Sequence, residues 1–184
     1  MPGRYALTQL PEFGPDDDVR VEVVEPQPIT SDRSLSRRIA LQVLFEVDCA
    51  GHDVGQVLGT HLQVQNAGRK VSRYVRELVT GVLRHRQALD DAIRHYAPEW
   101  PLDQLAIIDR NIMRMAIYEF AVTTRTPVGV AIDEAVELAK LFGAENASSF
   151  VNGVLGSLAD DVQYLKKLYQ PENREIEDDG TSRE

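Results

Sequence analysis

Cysteine is almost absent from this sequence, since Cys49 is the only one among 184 residues. A single thiol excludes an intrachain disulfide framework and is typical of proteins that fold in a reducing compartment. Long apolar runs are missing as well, and none approaches the roughly 18 residues that suggest a membrane-spanning helix. The first residues also lack the apolar core of a signal peptide, because charged residues and prolines interrupt them. We therefore expect a soluble, cytoplasmic protein.

Motifs of catalysis and metal binding are missing too. No histidine is followed by a second histidine or a cysteine three or four positions later, and zinc needs several such donors at one point. The sequence has neither a glycine-rich phosphate loop ending in Lys-Ser/Thr nor a Gly-x-Ser-x-Gly turn. Asp133, Glu134 and Glu137, with Lys140 nearby, are predicted to form a solvated helix face with ion pairs. We expect no enzymatic activity, no metal and no cofactor.

Acidic charge is concentrated at the two ends of the chain. Residues 1–32 hold seven acids against two arginines, and residues 171–184 hold six against two, which accounts for the whole net charge of −9. In between, residues 33–86 have nine bases and four acids, whereas residues 87–170 have seven bases and twelve acids. A basic half and an acidic half on one domain suit two different partners.

The same ends differ from the middle in composition. Residues 1–32 contain most of the nine prolines and a triple aspartate, which predicts a disordered acidic extension. Residues 171–184 are predicted to be a disordered acidic tail. Between them, residues 33–170 show helical periodicity throughout and no strand pattern. The prediction is an all-α domain, a compact bundle of about seven helices.

Caps and glycines suggest where individual helices begin and end. Ser34 and Ser36 are predicted N-caps of a first helix that places Cys49 within its apolar pattern, and Gly51 ends that helix. Further along, the chain offers Asp103 and the pair Thr126-Pro127 as helix starts, and Gly143 as a helix end. Gly153 and Gly156 are predicted to permit close packing between helices.

Arginines and an aromatic residue are candidates for surface recognition. Arg33, Arg37 and Arg38 lie at the polar start of the first helix, where guanidinium groups can neutralise phosphates and stack on bases. A solvated helix start without a ligand is the alternative. Tyr96 lies at a helix end, where it either stacks an unpaired base or fills the core.

A second candidate site is the start of the last helix. Asn146 and Ser149 lie where free backbone N–H groups and the positive end of the helix dipole favour an anion. Phe150 follows directly, which adds a ring for stacking. This short segment therefore combines phosphate binding with base stacking.

Four segments of the chain are informative when taken together. They are Arg38-Ile-Ala-Leu-Gln-Val-Leu-Phe45, Ile108-Asp-Arg-Asn-Ile-Met-Arg-Met-Ala-Ile-Tyr-Glu119, Val130-Ala-Ile-Asp-Glu-Ala-Val-Glu-Leu-Ala-Lys140 and Phe150-Val-Asn-Gly-Val-Leu155. In their order and spacing, through about residues 33–165, these segments resemble the bacterial NusB family of transcription antitermination factors.

This resemblance implies two packed helical subdomains, no catalysis and no cofactor. It also implies binding of the boxA element of ribosomal RNA leader transcripts together with NusE, a small-subunit ribosomal protein, within the transcription elongation complex. Such binding supports processive rRNA transcription.

The resemblance also assigns roles to individual residues. It places Phe45 and Asp109 on the face toward NusE, where an acidic half would meet a basic ribosomal protein. Ser34, Leu35 and Ser36 stand where other members often carry bases, so we expect weak RNA affinity without NusE. The residues expected to contact RNA are Arg33, Arg37, Arg38, Tyr96, Asn146, Ser149 and Phe150.

The sequence is also compatible with two other functions. One is a helical adaptor that binds only protein, and the other is a homodimer in which the RNA-binding face is masked.

Overall fold

The computed structural model describes residues 31–162 and 165, and all regular structure in this part of the chain is helical. The all-α prediction is therefore confirmed. Of the predicted N-terminal extension, only Ser31 and Asp32 are among the described residues, and the predicted C-terminal tail lies outside them. The elements are α1 (Asp32–Ala50), α2 (Val54–Val64), α3 (Arg69–Arg84), α4 (Arg86–Tyr96), α5 (Ile107–Ile117), a π-helical turn (Tyr118–Val122), α6 (Val128–Phe142) and α7 (Ala147–Asp160).

Helix α5 is the element that connects the rest. Helix α1 packs against α2 and α3, whereas α6 packs against α7, and α5 contacts α1, α4, α6 and α7. The π-helical turn continues α5 and contacts α3 and α6. One continuous apolar core therefore runs through the described helices, from Leu44 of α1 to Leu155 of α7.

The first helix begins earlier than predicted. Ser31, not Ser34 or Ser36, is its N-cap, because the Ser34 backbone N–H donates to Ser31 Oγ at 3.1 Å. Ser34 and Ser36 are buried inside the helix, where the Ser36 hydroxyl donates to the Asp32 carbonyl at 2.6 Å. Gly51 ends the helix in the left-handed conformation, as predicted. Cys49 is exposed rather than part of the apolar face.

Two later helix starts also differ from the predicted ones. Asp103 does not cap α5, which begins only at Ile107 after Ala106. Thr126 does not cap α6 either, because its hydroxyl donates to Glu119 Oε1 at 2.9 Å and Pro127 occupies the N-cap position. A buried carboxylate seven positions earlier in the chain thus binds the hydroxyl that the sequence assigns to a cap.

Close packing at glycine occurs at positions other than those predicted. Nothing lies within 4 Å of the place where a Cβ would stand on Gly153 or Gly156. At Gly81 of α3, by contrast, a Cβ would be 2.0 Å from Cζ of Tyr118. The absence of a side chain at Gly81 therefore allows the Tyr118 ring to pack on α3 at the π-helical turn.

We predict that Gly81→Ala lowers the free energy of unfolding by about 1–3 kcal/mol, since the Tyr118 ring must move out of a well-packed core. Gly59→Ala is the matched control, because Gly59 is also helical but has open space around it. That control should be neutral or stabilising by up to about 1 kcal/mol. Urea unfolding measures both variants, and equal effects would contradict the packing role of Gly81.

Candidate nucleic-acid interface

Arg37 is not on the surface. Its side chain is 4% exposed, and Nε and Nη2 donate to the two carboxylate oxygens of Glu119, each at 2.8 Å. The prediction that Arg37 lies at the polar start of the first helix, available to contact RNA, is therefore wrong. Arg37 lies one turn before the buried Leu41 and two turns before the buried Leu44, and so falls on the core-facing stripe of α1. That register is visible in the sequence, but the charge of the residue obscured it.

Glu119 is the centre of a buried polar network. Besides the bidentate pair with Arg37, its carboxylate accepts from the Tyr74 hydroxyl and from Thr126 Oγ1. Burial alone would lower the pKa of the Arg37 guanidinium, but the hydrogen bond and charge of Glu119 outweigh it and raise that pKa. Burial, reinforced by the charge of Glu119, also raises the pKa of Tyr74. Arg37 and Tyr74 therefore both stay protonated across the physiological range.

The predicted solvated acidic face of α6 is correct only in part. Lys140 pairs with Glu137 at 2.7 Å, and both side chains are exposed. Glu134, however, turns toward α1, where it lies 3.2 Å from Arg37 Nη1 and accepts from Ser34 Oγ at 2.9 Å.

The other two arginines of this cluster remain nearer the surface. Arg33 is exposed, and its guanidinium carbon lies 4.0 Å from the centre of the Tyr74 ring, within the range of a cation–π contact. Arg38 is half-buried on the next turn. Of the three arginines predicted to contact RNA, the structure therefore leaves Arg33 and Arg38 in suitable places.

The predicted aromatic residues come together in one groove. Tyr96, Ser149 and Phe150 line a cavity of about 440 Å³ between the end of α4 and the first turns of α7. The Tyr96 hydroxyl donates to Asp161 Oδ2 at 2.9 Å, which fixes the ring at the helix end. Trp100 completes this set, with its ring centre 5.5 Å from that of Phe150 in an edge-on arrangement. We call this cavity the aromatic groove.

Trp100 is a candidate that sequence reasoning missed. Its side chain is 56% exposed, which is unusual for so large an apolar group. The available signal was its position between Pro98 and Pro101, a turn that cannot bury it within a helix. Asn146, which was predicted, is exposed at the N-cap of α7 but does not line the groove.

The two residues predicted to face a protein partner differ in exposure. Phe45 on α1 is 38% exposed, as a contact residue should be. Asp109 is only 9% exposed, and burial raises the pKa of its carboxyl group. Its Oδ1 has no hydrogen-bond partner among the described residues and would lie 3.0 Å from a Cβ on Gly143. Asp109, which the resemblance places on the face toward NusE, is therefore not an exposed charge but is packed at the end of α6.

Comparison with known proteins identifies the family of this chain. The NusB family model matches residues 34–160. The chain belongs to the NusB family. It is 40% identical over 131 residues to the transcription antitermination protein NusB of Dehalococcoides mccartyi, a match covering 71% of this chain and 92% of the relative. It is 39% identical to NusB of Bacillus subtilis, over 71% of this chain and 97% of the relative.

Solved structures of the NusB family share this fold. The structure of T. maritima NusB superposes with a TM-score of 0.63 at 30% identity, over 80% of this chain and 96% of that one. A crystal structure of antitermination factors NusB and NusE in complex with double-stranded RNA gives a TM-score of 0.64 at 26% identity, over 75% of this chain and 98% of that one.

Membership in the NusB family makes the protein a transcription antitermination factor and not an enzyme, as the sequence predicted. Within the described residues, no helix is both long and apolar enough to cross a membrane. In the same part of the chain, no three His, Cys, Asp or Glu side chains are grouped so that they could hold a metal ion.

We predict that Arg37→Gln lowers the free energy of unfolding by about 3–5 kcal/mol, because it leaves the charge of Glu119 buried without its cation. The double variant Arg37→Gln/Glu119→Gln should recover part of that loss, since no buried charge remains unpaired. Arg33→Gln is the control and should change stability by less than about 0.5 kcal/mol, as is usual for an exposed residue. Denaturant unfolding that gives equal losses for Arg37→Gln and Arg33→Gln would refute this account.

Proposed function

We propose that this protein binds boxA RNA of ribosomal RNA leader transcripts together with the ribosomal protein NusE, and thereby supports processive rRNA transcription in the cytoplasm. The observation that carries the proposal is the aromatic groove, because it unites three residues predicted to contact RNA with an exposed tryptophan. The NusB relative crystallised with NusE and double-stranded RNA supports the choice of partners.

The aromatic groove suits unpaired bases better than a regular duplex. Sequence-specific RNA recognition generally uses splayed bases that stack on aromatic side chains, and Trp100 and Phe150 offer two such surfaces. Ser149 is exposed beside them and offers a hydroxyl for hydrogen bonding. The start of α7 at Asn146 adds backbone N–H groups that favour a phosphate.

Arginines near the start of α1 supply the positive charge that RNA binding requires. Arg33 and Arg38 are the residues that we expect to contact phosphates. Arg37 is no longer among them, because both edges of its guanidinium are occupied by Glu119 and Glu134. Its contribution is to hold Glu119, which in turn accepts from the Tyr74 hydroxyl beneath Arg33.

The partner face is proposed to include Phe45. An exposed aromatic residue is a frequent anchor at protein interfaces. The excess of acids over bases in residues 87–170 favours a basic partner such as a ribosomal protein. Asp109 is proposed to affect this face indirectly, through the packing of α5 against the end of α6. The RNA-bound pair would then join the transcription elongation complex.

A gel-shift assay with single-stranded boxA RNA, with and without NusE, tests the RNA part of the proposal. We expect binding to boxA RNA, tighter with NusE, and weaker binding to a scrambled RNA of equal length. Phe150→Ala should weaken the RNA affinity by about 5- to 150-fold, since stacking of one base contributes about 1–3 kcal/mol. Phe142→Ala is the matched control, because Phe142 is also partly exposed but lies outside the aromatic groove.

Equal losses of RNA affinity for Phe150→Ala and Phe142→Ala would show that the aromatic groove is not part of the RNA-binding surface. Binding of NusE without any binding of RNA would instead favour a protein-only adaptor. A homodimer that masks the RNA face would show RNA binding only when dilution dissociates the dimer.

We predict that Phe45→Ala weakens NusE binding by at least tenfold, the effect of losing roughly 1.4 kcal/mol at an aromatic anchor. Surface plasmon resonance with immobilised NusE measures it. Val64→Ala on α2 is the control, since Val64 is a large exposed apolar residue at a different helix. If the two variants bind NusE equally well, the partner face lies elsewhere.

A further inference from the structure

A second cavity, of about 550 Å³, lies between the start of α1 and the first half of α3. We call it the basic cleft, because four bases and only two acids contribute to its lining. Its bases are Arg33 of α1, Lys70 and Arg73 of α3, and Arg125 of the loop before α6, and its acids are Asp32 and Glu77.

We propose that the basic cleft binds phosphates of the RNA backbone, with Lys70 and Arg73 as direct phosphate contacts. This site rests on the proposed function and extends it to α3, a helix to which the resemblance assigned no RNA-binding residue. The ligand chemistry is a run of phosphodiester groups rather than a base, since the described lining is rich in cations and has Tyr74 as its only aromatic side chain.

Some charged side chains that line the cleft have an ion-pair partner among the described residues, and others do not. Glu77 is already paired with Arg125, whose Nη1 lies 2.5 Å from Glu77 Oε1. Lys70 and Arg73 are exposed, and no carboxylate of the described residues lies within ion-pair distance of either one. Two cations therefore face solvent in a concave site, where low-dielectric walls strengthen the attraction for an anion.

Lys70 and Arg73 also share a helix face. They are three positions apart on α3, so their Cβ atoms lie about 5–6 Å from each other and can reach the same ligand. Tyr74 and Glu77, one turn further along α3, also line the cleft. A flexible strand of phosphates can be contacted by both cations without any distortion of the helix.

Arg33 on the opposite wall is held in place before RNA binds. Its guanidinium lies over the Tyr74 ring, and the Tyr74 hydroxyl donates to the buried Glu119. Stacking on a fixed ring reduces the side-chain freedom that phosphate binding would otherwise remove. The buried Arg37–Glu119 pair thus positions one wall of the cleft without touching the ligand.

The cleft places cations beside a stretch of α1 that has none of its own. Residues 34–36 are serine, leucine and serine. Ser34 and Ser36 are buried in hydrogen bonds to Glu134 and Asp32, so they are unavailable for phosphate binding. Lys70 and Arg73 place cations beside the same helix start from another helix.

The double variant Lys70→Gln/Arg73→Gln tests the proposal in the full-length protein with NusE and single-stranded boxA RNA. The matched control is Arg69→Gln/Arg76→Gln, which removes the same charge from exposed positions of α3 that do not line the cleft. The measured quantity is the slope of log affinity against log salt concentration.

We expect the cleft variant to reduce that slope by about 0.7 per lost contact, or roughly 1.4 in total. The affinity change between 50 and 200 mM salt then becomes about sevenfold smaller than for the parent protein. The control variant should keep the parental slope. If circular dichroism shows that the double variant is destabilised, the single variants at Lys70 and Arg73 should each reduce the slope by about 0.7.

Three other results would overturn the proposal. Equal slopes for the two double variants would show that only long-range charge matters, while the proposed function would stand. Tighter RNA binding by the cleft variant would show that a competitor, such as the acidic residues that precede Ser31, occupies the cleft. Failure of the parent protein to bind boxA RNA even with NusE would refute the proposed function itself.

Discussion

The packing of α1 and α3 against the π-helical turn depends on one interaction, the buried ion pair between Arg37 and Glu119. Both side chains are almost fully removed from solvent, so neither charge is tolerated without the other. Glu119 also binds Tyr74 and Thr126, which means that one carboxylate connects α1, α3, the π-helical turn and the loop before α6. A network of this kind is stabilising only when every member is satisfied, and it therefore selects one packing of these elements.

A second buried cation stabilises the other side of α5. Arg114 donates to Asp90 Oδ1 at 2.6 Å and to Asp48 Oδ2 at 2.8 Å, and thereby joins α5 to α4 and α1. Asn111 accepts from the same guanidinium at 2.9 Å. One network is centred on α5 and the other on the π-helical turn that follows it. Together they fix the helices that carry the aromatic groove and the basic cleft. The aromatic groove begins at the end of α4, and the basic cleft begins beside Arg37.

In the proposed function, these two sites would divide RNA recognition between different physical forces. The aromatic groove offers ring surfaces and a hydroxyl, which suit bases, whereas the basic cleft offers cations, which suit phosphates. Phosphate contacts are salt-dependent and insensitive to sequence, and stacking is much less affected by salt. A net charge of −9 does not prevent such binding, because much of the acidic charge lies at the ends of the chain.

The sequence by itself determined the helical class, the family and three residues of the aromatic groove, because helical periodicity and ordered motifs are local properties of the chain. It identified Tyr96, Ser149 and Phe150 without any knowledge of their neighbours. The register of α1 places Arg37 on the core-facing stripe, but only the tertiary structure decided that its charge and that of Asp109 are buried, since burial of a charge depends on which groups of other helices surround it. Lys70 and Arg73 line one cleft with Arg33 only because α3 packs beside α1, since residues more than 30 positions apart come together only in the folded chain.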